Sequence, residues 1–219
     1  MNNQTLTFLG RDSGFGPKNN STYFEYNNNL FLIDCGFTVF QKLTKKLDLS
    51  KYTNISVIIT HLHNDHAGSL SQLLLYLWFV LNKKATIISA CKNIKTYLDI
   101  TGTPNDSYNL TDKLIDFNLE FIKTEHSPYL DCYGFKMTVN NKNIVYTGDT
   151  SILFPFKQYL TNCDEFYIDV SKFGGVHIKI DDILDDLLNF KNNGTNIYCM
   201  HIDDKEYIKN KTNNLYNYE

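Results

Sequence analysis

The chain alternates short hydrophobic stretches with polar turns, and the spacing of its apolar positions predicts both strands and helices. In the first half, the pattern predicts strands at 5–10, 21–26, 30–34, 55–59 and 85–89, and helices at 37–48, 70–82 and 91–100. In the second half, it predicts strands at 119–124, 133–139, 144–147, 165–170 and 196–200, and helices at 151–160 and 180–190. Two strand-rich halves that each end in helices indicate an α/β (α+β) chain, folded as a four-layer αββα sandwich.

The connecting segments refine this picture. A length of 219 residues suits a single domain over 1–219, or two intimately fused halves. Asn27–Asn29 tolerates the left-handed conformations of a tight hairpin turn, and residues 101–109 predict an irregular loop. The polar tail after about residue 205 is predicted to be loosely held. The helix at 70–82 is apolar around its circumference, so it must be buried or form a subunit contact, which would allow a homodimer.

The charge balance restricts the class of substrate. The chain has 21 basic and 24 acidic residues, a net charge of −3, and Arg11 is its only arginine. A protein that grips a long stretch of nucleic acid normally has a basic face, often rich in arginine because the guanidinium group matches phosphate oxygens. A large polynucleotide substrate is therefore disfavoured.

Cysteine usage and the apolar runs indicate the compartment. The five cysteines are odd in number, widely separated and without a Cys-x-x-Cys pair, as expected for small buried side chains in a reducing cytosol. The first residues have no signal-peptide pattern. The longest apolar run, Leu73–Leu81, has 9 residues, whereas a membrane span needs about 20. We therefore expect a cytoplasmic protein that does not associate with a membrane.

Candidate chemistry is concentrated directly after the strand at 55–59. His61, His63, Asp65 and His66 place four metal-binding side chains within six residues. Imidazole and carboxylate groups bind Zn²⁺ and similar cations at neutral pH. The alternate spacing turns His61 and His63 to one side of an extended segment while Asp65 and His66 point elsewhere. One loop could therefore serve two adjacent metal ions.

This His-x-His-x-Asp-His pattern, after a strand and before an apolar helix, resembles the signature of the metallo-β-lactamase-fold hydrolases. Three later positions match that family in order: His126 after a strand, Asp149 in a Gly-Asp-Thr turn, and His201 at the end of the strand at 196–200. The resemblance runs from about residue 5 to residue 203 and implies the metallo-β-lactamase fold. In the family, an Asp-x-Gly segment like Asp34-Cys35-Gly36 ends a strand and is mostly structural.

The resemblance also implies a ligand set for two divalent metal ions, with zinc favoured and manganese or iron as alternatives. One ion would be bound by His61, His63 and His126, the other by Asp65, His66 and His201, with Asp149 bridging. A hydroxide shared by the two ions would be the nucleophile, because a bound divalent metal lowers the pKa of water to about 7. Asp65 thus belongs to both the metal-binding set and the catalytic set.

The spacing of these residues indicates a branch of the family. The steps are 60 residues from His66 to His126, 23 to Asp149 and 52 to His201. Ribonuclease Z enzymes carry a tRNA-gripping arm between the third His and the bridging Asp, and 23 residues leave no room for it. The steps look closer to the compact phosphodiesterases of the ribonuclease Z-like branch, such as a cyclic phosphodiesterase, and are not far from those of lactone hydrolases.

A further pair resembles the acid–histidine pair of that branch, with Asp169 in place of Glu and His177 at a helix entry. In that branch the carboxylate orients the histidine, which donates a proton to the leaving oxygen. Asp is one methylene shorter than Glu, so the sequence leaves the pairing of Asp169 with His177 open. A structural role for His177, filling space beside Gly174 and Gly175, remains the alternative.

Together these residues predict a dinuclear metal-dependent hydrolase. The favoured function is a phosphodiesterase for a small or flexible phosphodiester: a cyclic phosphate, a cyclic nucleotide or a short oligonucleotide. The alternative is a lactone or thioester hydrolase, with a tRNA 3′-processing ribonuclease less favoured and a non-enzymatic metal-binding module least favoured. His63 argues against the flavodiiron proteins, which have Glu at this position, and Asp149 argues against the secreted β-lactamases, which lack it. No protein partner is predicted.

Overall fold

The structure is a computed structural model that describes residues 4–212 of the chain. It divides into two compact units, one formed by residues 6–113 and the other by residues 4–5 together with 114–212. Each unit contains one β-sheet with its own helices. The prediction of a single domain stays a prediction.

The first unit is built around a six-stranded sheet with the strand order β1-β2-β3-β4-β5-β6. Its strands are β1 (Thr7–Gly10), β2 (Ser21–Tyr26), β3 (Asn29–Ile33), β4 (Asn54–Ile58), β5 (Ala85–Ile88) and β6 (Tyr108–Thr111). Its helices are α1 (Val39–Lys46), α2 (Asn64–Ala67), α3 (Leu70–Phe79) and α4 (Ile94–Ile100), with 3₁₀ turns at Leu49–Lys51 and Asn105–Ser107. The pairs from β1 to β3 are antiparallel and those from β3 to β6 are parallel.

The parallel part of this sheet follows from its sequence. β3 and β4 are almost continuously apolar and buried, as expected for strands covered on both faces. The turn between β2 and β3 is the predicted hairpin, since Asn27 and Asn28 have φ angles of 48° and 62°.

α3 buries four leucines, whereas Phe79 and Val80 at its end are exposed. Burial explains much of the apolar character of α3, and the homodimer stays a prediction.

One strand of the first unit was not predicted. The segment 101–109 was expected to be an irregular loop, but it contains a 3₁₀ turn and enters β6 at Tyr108, where the chain pairs in parallel with β5. β6 is the last strand of the sheet, and the side chains of Asn109 and Leu110 are exposed. An edge strand with exposed polar residues has no clear alternating pattern, which explains why the sequence did not reveal it.

The second unit is built around a five-stranded sheet with the order β11-β10-β9-β8-β7. Its strands are β7 (Glu120–Lys123), β8 (Tyr133–Val139), β9 (Lys142–Tyr146), β10 (Glu165–Asp169) and β11 (Asn196–Met200). Its helices are α5 (Leu184–Asn192) and α6 (Lys205–Thr212), with 3₁₀ segments at Ile115–Phe117, Phe154–Asn162 and Ile180–Asp182. β7, β8 and β9 pair antiparallel, and β9, β10 and β11 pair parallel.

Two helix predictions in this unit need correction. The helix expected at 151–160 is a 3₁₀ segment that starts at Phe154, and Pro155 near its start has no backbone N–H to donate. The helix expected at 180–190 begins as a 3₁₀ turn and becomes α-helical only at Leu184.

The tail after residue 205 also differs from the expectation of a loosely held segment. It begins with α6, in which Ile208 and Thr212 are buried. Tyr207 donates from its hydroxyl to Asp181 Oδ2 at 2.6 Å, and Lys211 Nζ lies 2.6 Å from Asp181 Oδ1. These contacts bind the helix to a segment far away in the sequence, which a local pattern cannot reveal. Residues 213–219, the rest of the predicted tail, lie outside the described residues.

Two predictions from composition can be compared with the structure. The five cysteines are free and buried, which confirms that they form no disulfide framework. No helix within residues 4–212 is long and apolar enough to cross a membrane.

A buried carboxylate links the start of the described chain to the second sheet. Glu165 is fully buried in β10 and accepts hydrogen bonds from the backbone N–H of Thr5 at 3.0 Å and from the Tyr167 hydroxyl at 2.7 Å. Lys142 Nζ lies 2.7 Å from Glu165 Oε1. A buried charge with several hydrogen bonds and a cation is costly to alter, because its partners lose their acceptor.

We therefore expect Glu165→Gln to lower the free energy of unfolding by about 2 kcal/mol, since Lys142 would lose its charged partner. Urea unfolding followed by circular dichroism measures the change. The matched control is Glu120→Gln, which removes an exposed ion pair with Lys136 and should change the free energy by less than about 0.5 kcal/mol. Equal losses in the two variants would contradict the structural role given to Glu165.

Candidate metal centre

The first unit brings together the four residues of the motif that follows β4. His61 and His66 are fully buried, and Asp65 and His63 are partly exposed. His61 Nε2 lies 3.0 Å from His63 Nδ1, and His66 Nε2 lies 3.2 Å from Asp65 Oδ2. The rings of His61 and His66 are 4.1 Å apart between centroids. The loop therefore brings two pairs of potential ligand atoms close together, and the assignment of each pair to its own metal ion stays a prediction.

A buried carboxylate orients the two buried histidines of this set. Asp34 Oδ2 lies 2.9 Å from His66 Nδ1, and Asp34 Oδ1 accepts the Thr60 backbone N–H at 2.9 Å. The Thr60 hydroxyl donates to Asp34 Oδ2 at 2.9 Å and lies 3.1 Å from His61 Nδ1. With a proton on Nδ1 of both rings, each imidazole turns the lone pair of Nε2 towards the ligand region.

Asp34 is itself held in a demanding position. Its φ angle is +60°, a left-handed conformation that is uncommon for residues other than Gly, although Asn, Asp and His adopt it more often than the rest. Burial raises the pKa of its carboxyl group, and the charge of His66 opposes that rise. The sequence assigned Asp34 a mostly structural role. Its contacts with His66 and Thr60 add a positioning role, which could not be read from the sequence because the partners lie 26 and 32 residues away.

Two glycines make room for Asp65. A Cβ on Gly36 would overlap the carbonyl oxygen of Asp65, so only glycine fits where β3 meets the metal loop. A Cβ on Gly14 would lie 3.0 Å from Asp65 Oδ2 and 3.2 Å from its Cγ. The Gly-rich turn after β1 therefore packs against the side chain of a predicted metal ligand. Sequence reasoning did not identify this role of Gly14.

The second unit collects its candidate residues at one edge of its sheet. β9, β10 and β11 are parallel, so their carboxyl ends lie together, and Asp149, Asp169 and His201 occupy or directly follow those ends. His201 Nε2 lies 3.3 Å from Asp149 Oδ2. All three side chains are buried. The topology of the sheet thus explains why residues 52 positions apart in sequence meet.

His126, which follows β7, joins the same group. Its Nδ1 lies 3.0 Å from the carbonyl oxygen of Val176, so Nδ1 carries the proton and Nε2 is the available ligand atom. His126 Nε2 lies 3.6 Å from Asp149 Oδ2, and the His126 side chain is buried. Asp149 Oδ2 therefore has two imidazole nitrogens nearby, and the bridging role of Asp149 stays a prediction.

The pair left open by the sequence is present as a contact. His177 Nδ1 lies 2.8 Å from Asp169 Oδ2, so the shorter Asp side chain does reach the ring. Asp169 Oδ2 also accepts the backbone N–H of Thr150 at 2.9 Å. The His177 ring stacks on His201 with 4.5 Å between centroids, and its side chain is 21% exposed. His177 is therefore partly accessible while its carboxylate partner is buried.

The pKa of the Asp169 carboxyl group depends on burial and on charged neighbours. Burial raises the pKa of the Asp169 carboxyl group, the hydrogen bond with His177 lowers it, and the negative charge of Asp149 raises it further. Two carboxylates this close repel each other unless cations lie between or beside them.

Both donor sets fit a divalent metal ion. Each consists of imidazole nitrogens and carboxylate oxygens, which are the ligands of zinc, manganese and iron in N/O sites. In each set the second ring nitrogen of a histidine is held by a protein acceptor, as is usual for metal-binding histidines. The residue-by-residue assignment of ligands stays a prediction.

Comparisons with known proteins can now be set against this geometry. Residues 4–98 match a family model described as anti-Pycsar protein Apyc1. An anti-Pycsar protein Apyc1 of Bacillus phage 010DV004 is 25% identical over 231 residues, covering 91% of this chain and 89% of the phage protein. The probable metallo-hydrolase YhfI of Bacillus subtilis strain 168 is 26% identical over 172 residues, covering 73% of this chain and 69% of YhfI.

The structural similarity is more extensive. The crystal structure of YhfI, described as a metallo-β-lactamase fold protein, matches with a TM-score of 0.77 at 19% identity, covering 96% of this chain and 92% of YhfI. This chain has the metallo-β-lactamase fold. The short form of human tRNase Z matches with a TM-score of 0.69 at 16% identity, covering 92% of this chain and 93% of that protein.

The metallo-β-lactamase fold confirms the fold class predicted from the sequence. The chain is a metal-dependent hydrolase, as its relatives indicate, and the fold and the donor chemistry together indicate that it binds divalent metal.

Asp34→Asn tests the positioning of His66. The amide cannot offer two charged oxygens to Thr60 and His66, so we expect metal affinity to fall about 10–100-fold. Competition with a chromophoric chelator measures that affinity. Far-ultraviolet circular dichroism checks that the variant is folded. Unchanged affinity in a folded variant would show that Asp34 has no influence on metal binding.

Gly14→Ala tests the packing against Asp65. The added methyl group would have to displace the carboxylate by a few tenths of an ångström, so we expect metal affinity to fall about tenfold. Ser13→Ala in the same turn adds no atoms and is the control. A loss of stability in the metal-free Gly14→Ala protein, with metal affinity preserved, would contradict this reading.

Proposed function

We propose that the chain is a dinuclear metal-dependent phosphodiesterase that hydrolyses a small cyclic phosphodiester, with a cyclic nucleotide as the favoured substrate. The observation that carries the proposal is the Asp169–His177 pair, 2.8 Å apart, beside Asp149 and His201. An alkoxide leaving group, as in a cyclic nucleotide, needs a proton to leave. The thiolate released from a thioester needs no such donor, so the pair favours the phosphodiester over the thioester.

The relatives support the same chemistry. A ribonuclease Z from Mycobacterium avium is 24% identical over 175 residues. Its name says that it is a ribonuclease, and the bonds that link RNA nucleotides are phosphodiesters. The similarity to anti-Pycsar Apyc1 proteins supports a cyclic nucleotide within this class. A large RNA is disfavoured by the net charge of −3 and by the short step between His126 and Asp149.

The proposed metal centre uses both donor sets. His61, His63 and His126 would hold one ion, Asp65, His66 and His201 the other, and Asp149 would bridge them. Zinc is the favoured metal, with manganese or iron as alternatives, because N/O donor sets accept all three. When bound, such ions supply an acidified water and polarise a phosphoryl oxygen.

Protonation of the leaving group is assigned to the protein's own side chains. Asp169 accepts a hydrogen bond from the Nδ1–H group of His177. Nε2 of that ring is therefore the atom left to donate to a substrate. A proton on Nε2 can then pass to the leaving oxygen as its bond to phosphorus breaks. Thr150 donates its backbone N–H to Asp169, which holds the carboxylate in place for His177. Asp169 is thus a positioning residue, and His177 is the proposed catalytic acid.

A substrate panel tests the proposed function directly. The metal-loaded chain should hydrolyse cyclic nucleotides and bis-p-nitrophenyl phosphate with kcat/KM values well above those for a lactone and for a thioester such as S-lactoylglutathione. Removal of metal by a chelator should abolish the activity, and a divalent ion should restore it. Faster turnover of the thioester or the lactone than of any phosphodiester would overturn the proposal.

His177→Ala tests the proposed proton donor. We expect kcat to fall about 100–1,000-fold for a cyclic nucleotide, whose leaving group is an alkoxide. For bis-p-nitrophenyl phosphate, whose leaving group departs as an anion, we expect a fall of less than about fivefold. Initial rates on both substrates give the comparison. Equal losses on the two substrates would exclude a role in leaving-group protonation.

A further inference from the structure

The loops that carry candidate site residues in the second unit expose large apolar side chains. Tyr129, Phe154 and Phe173 are 89%, 81% and 74% exposed. In the part of this unit that the structure describes, the exposed large apolar residues are Ile115, Tyr129, Phe154, Phe173, Val176 and Leu188. Four of these six lie within five positions of His126, Asp149 or His177. Exposed apolar surface is thus concentrated on the loops of the candidate site.

Phe173 lies on a loop that is closed at its base by backbone hydrogen bonds. The backbone N–H of Ser171 donates to the Ile178 carbonyl at 2.8 Å, and the N–H of Ile180 donates back to the Ser171 carbonyl at 2.9 Å. Ser171 Oγ accepts the backbone N–H of Phe173 at 3.0 Å and donates to Asp203 Oδ2 at 2.5 Å. The backbone at Phe173 is therefore fixed, although its ring is exposed.

The same loop contacts two candidate site residues. Its Val176 carbonyl accepts from His126 Nδ1 at 3.0 Å, and its His177 ring is held by Asp169. One short, closed segment therefore carries Phe173, orients His126 and presents the proposed catalytic acid. Phe173 therefore lies four positions before His177, on the same segment as the proposed catalytic acid.

The exposed ring has the chemistry to bind a planar group. Burial would normally remove a phenyl ring from water, but Phe173 leaves 74% of its surface accessible on a fixed loop. Lys172 Nζ lies 5.3 Å from the ring centroid and also pairs with Asp204 at 2.7 Å. Aromatic side chains bind bases by stacking, because every base has an apolar π-face.

We propose that Phe173 is a specificity-determining residue that stacks on the base of the nucleotide substrate. This inference rests on the proposed function, since it names the part of the substrate that the loop recognises. On this proposal the ring selects substrates that carry a base.

The test compares ligands that differ only in the base. Calorimetric titration of the metal-loaded chain with nucleoside 5′-monophosphates and with ribose 5-phosphate measures binding independently of turnover. Phe173→Ala should weaken binding of the nucleotides about tenfold, which is the range found when base-stacking rings are removed, and leave ribose 5-phosphate within about twofold. In kinetics, the variant should raise KM for a cyclic nucleotide and leave kcat largely unchanged.

Two further variants separate stacking from structural effects. Phe173→Tyr keeps an aromatic ring and should restore nucleotide binding. Ile115→Ala removes an exposed apolar side chain of similar exposure, 79%, outside these loops, and should have no effect. Equal weakening of the nucleotide and of ribose 5-phosphate, or no weakening of either, would overturn the inference. Selective loss of nucleotide binding in a protein that hydrolyses no phosphodiester would support base recognition and refute the proposed reaction.

Discussion

The buried carboxylate of Asp34 is the interaction on which the metal loop depends. It contacts His66 directly and His61 through the Thr60 hydroxyl, so one side chain fixes the orientation of both buried imidazoles. Without this acceptor, each ring could expose either nitrogen to the ligand region. Asp34 holds this position in a left-handed backbone conformation, which costs of order 1–3 kcal/mol and persists because β3, β4 and the metal loop constrain it together.

The residues of the second donor set are also oriented by other groups of the protein. The carbonyl of Val176 fixes His126, and the parallel ends of β9, β10 and β11 bring Asp149, Asp169 and His201 together. His201 has a φ angle of +55°. Within residues 4–212, Asp34 and His201 are the two residues other than Gly and Asn with a left-handed backbone. Strain of this kind concentrates where function requires a precise side-chain direction.

Much of this site could be predicted from the sequence, because its signal is chemical and local. Four metal-binding side chains within six residues stand out in any context, and the parallel strands that carry the later residues were predicted to within a few positions. The sequence could not predict the role of a residue whose partners are distant along the chain. The role of Asp34 needs the fold, since Thr60 and His66 are 26 and 32 residues away.

Other features of the structure leave too weak a sequence pattern to be predicted. Gly14 has no side chain whose pattern could reveal its packing against Asp65. β6 is an edge strand with exposed side chains, and α6 is held by contacts with Asp181 that local periodicity does not encode. Asp169 is one methylene group shorter than the Glu of the related enzymes, so the sequence could not show whether it reaches His177. The geometry of the loop between them decides that it does.

Metal content per chain tests the central claim most directly, because two donor sets are proposed to share a pair of cations. Elemental analysis of the purified, fully loaded chain should give two divalent ions per chain. His61→Ala and His66→Ala, which each remove a ligand from a different ion, should each reduce the content towards one. A single ion in the wild-type chain, or two ions retained in both variants, would contradict the account.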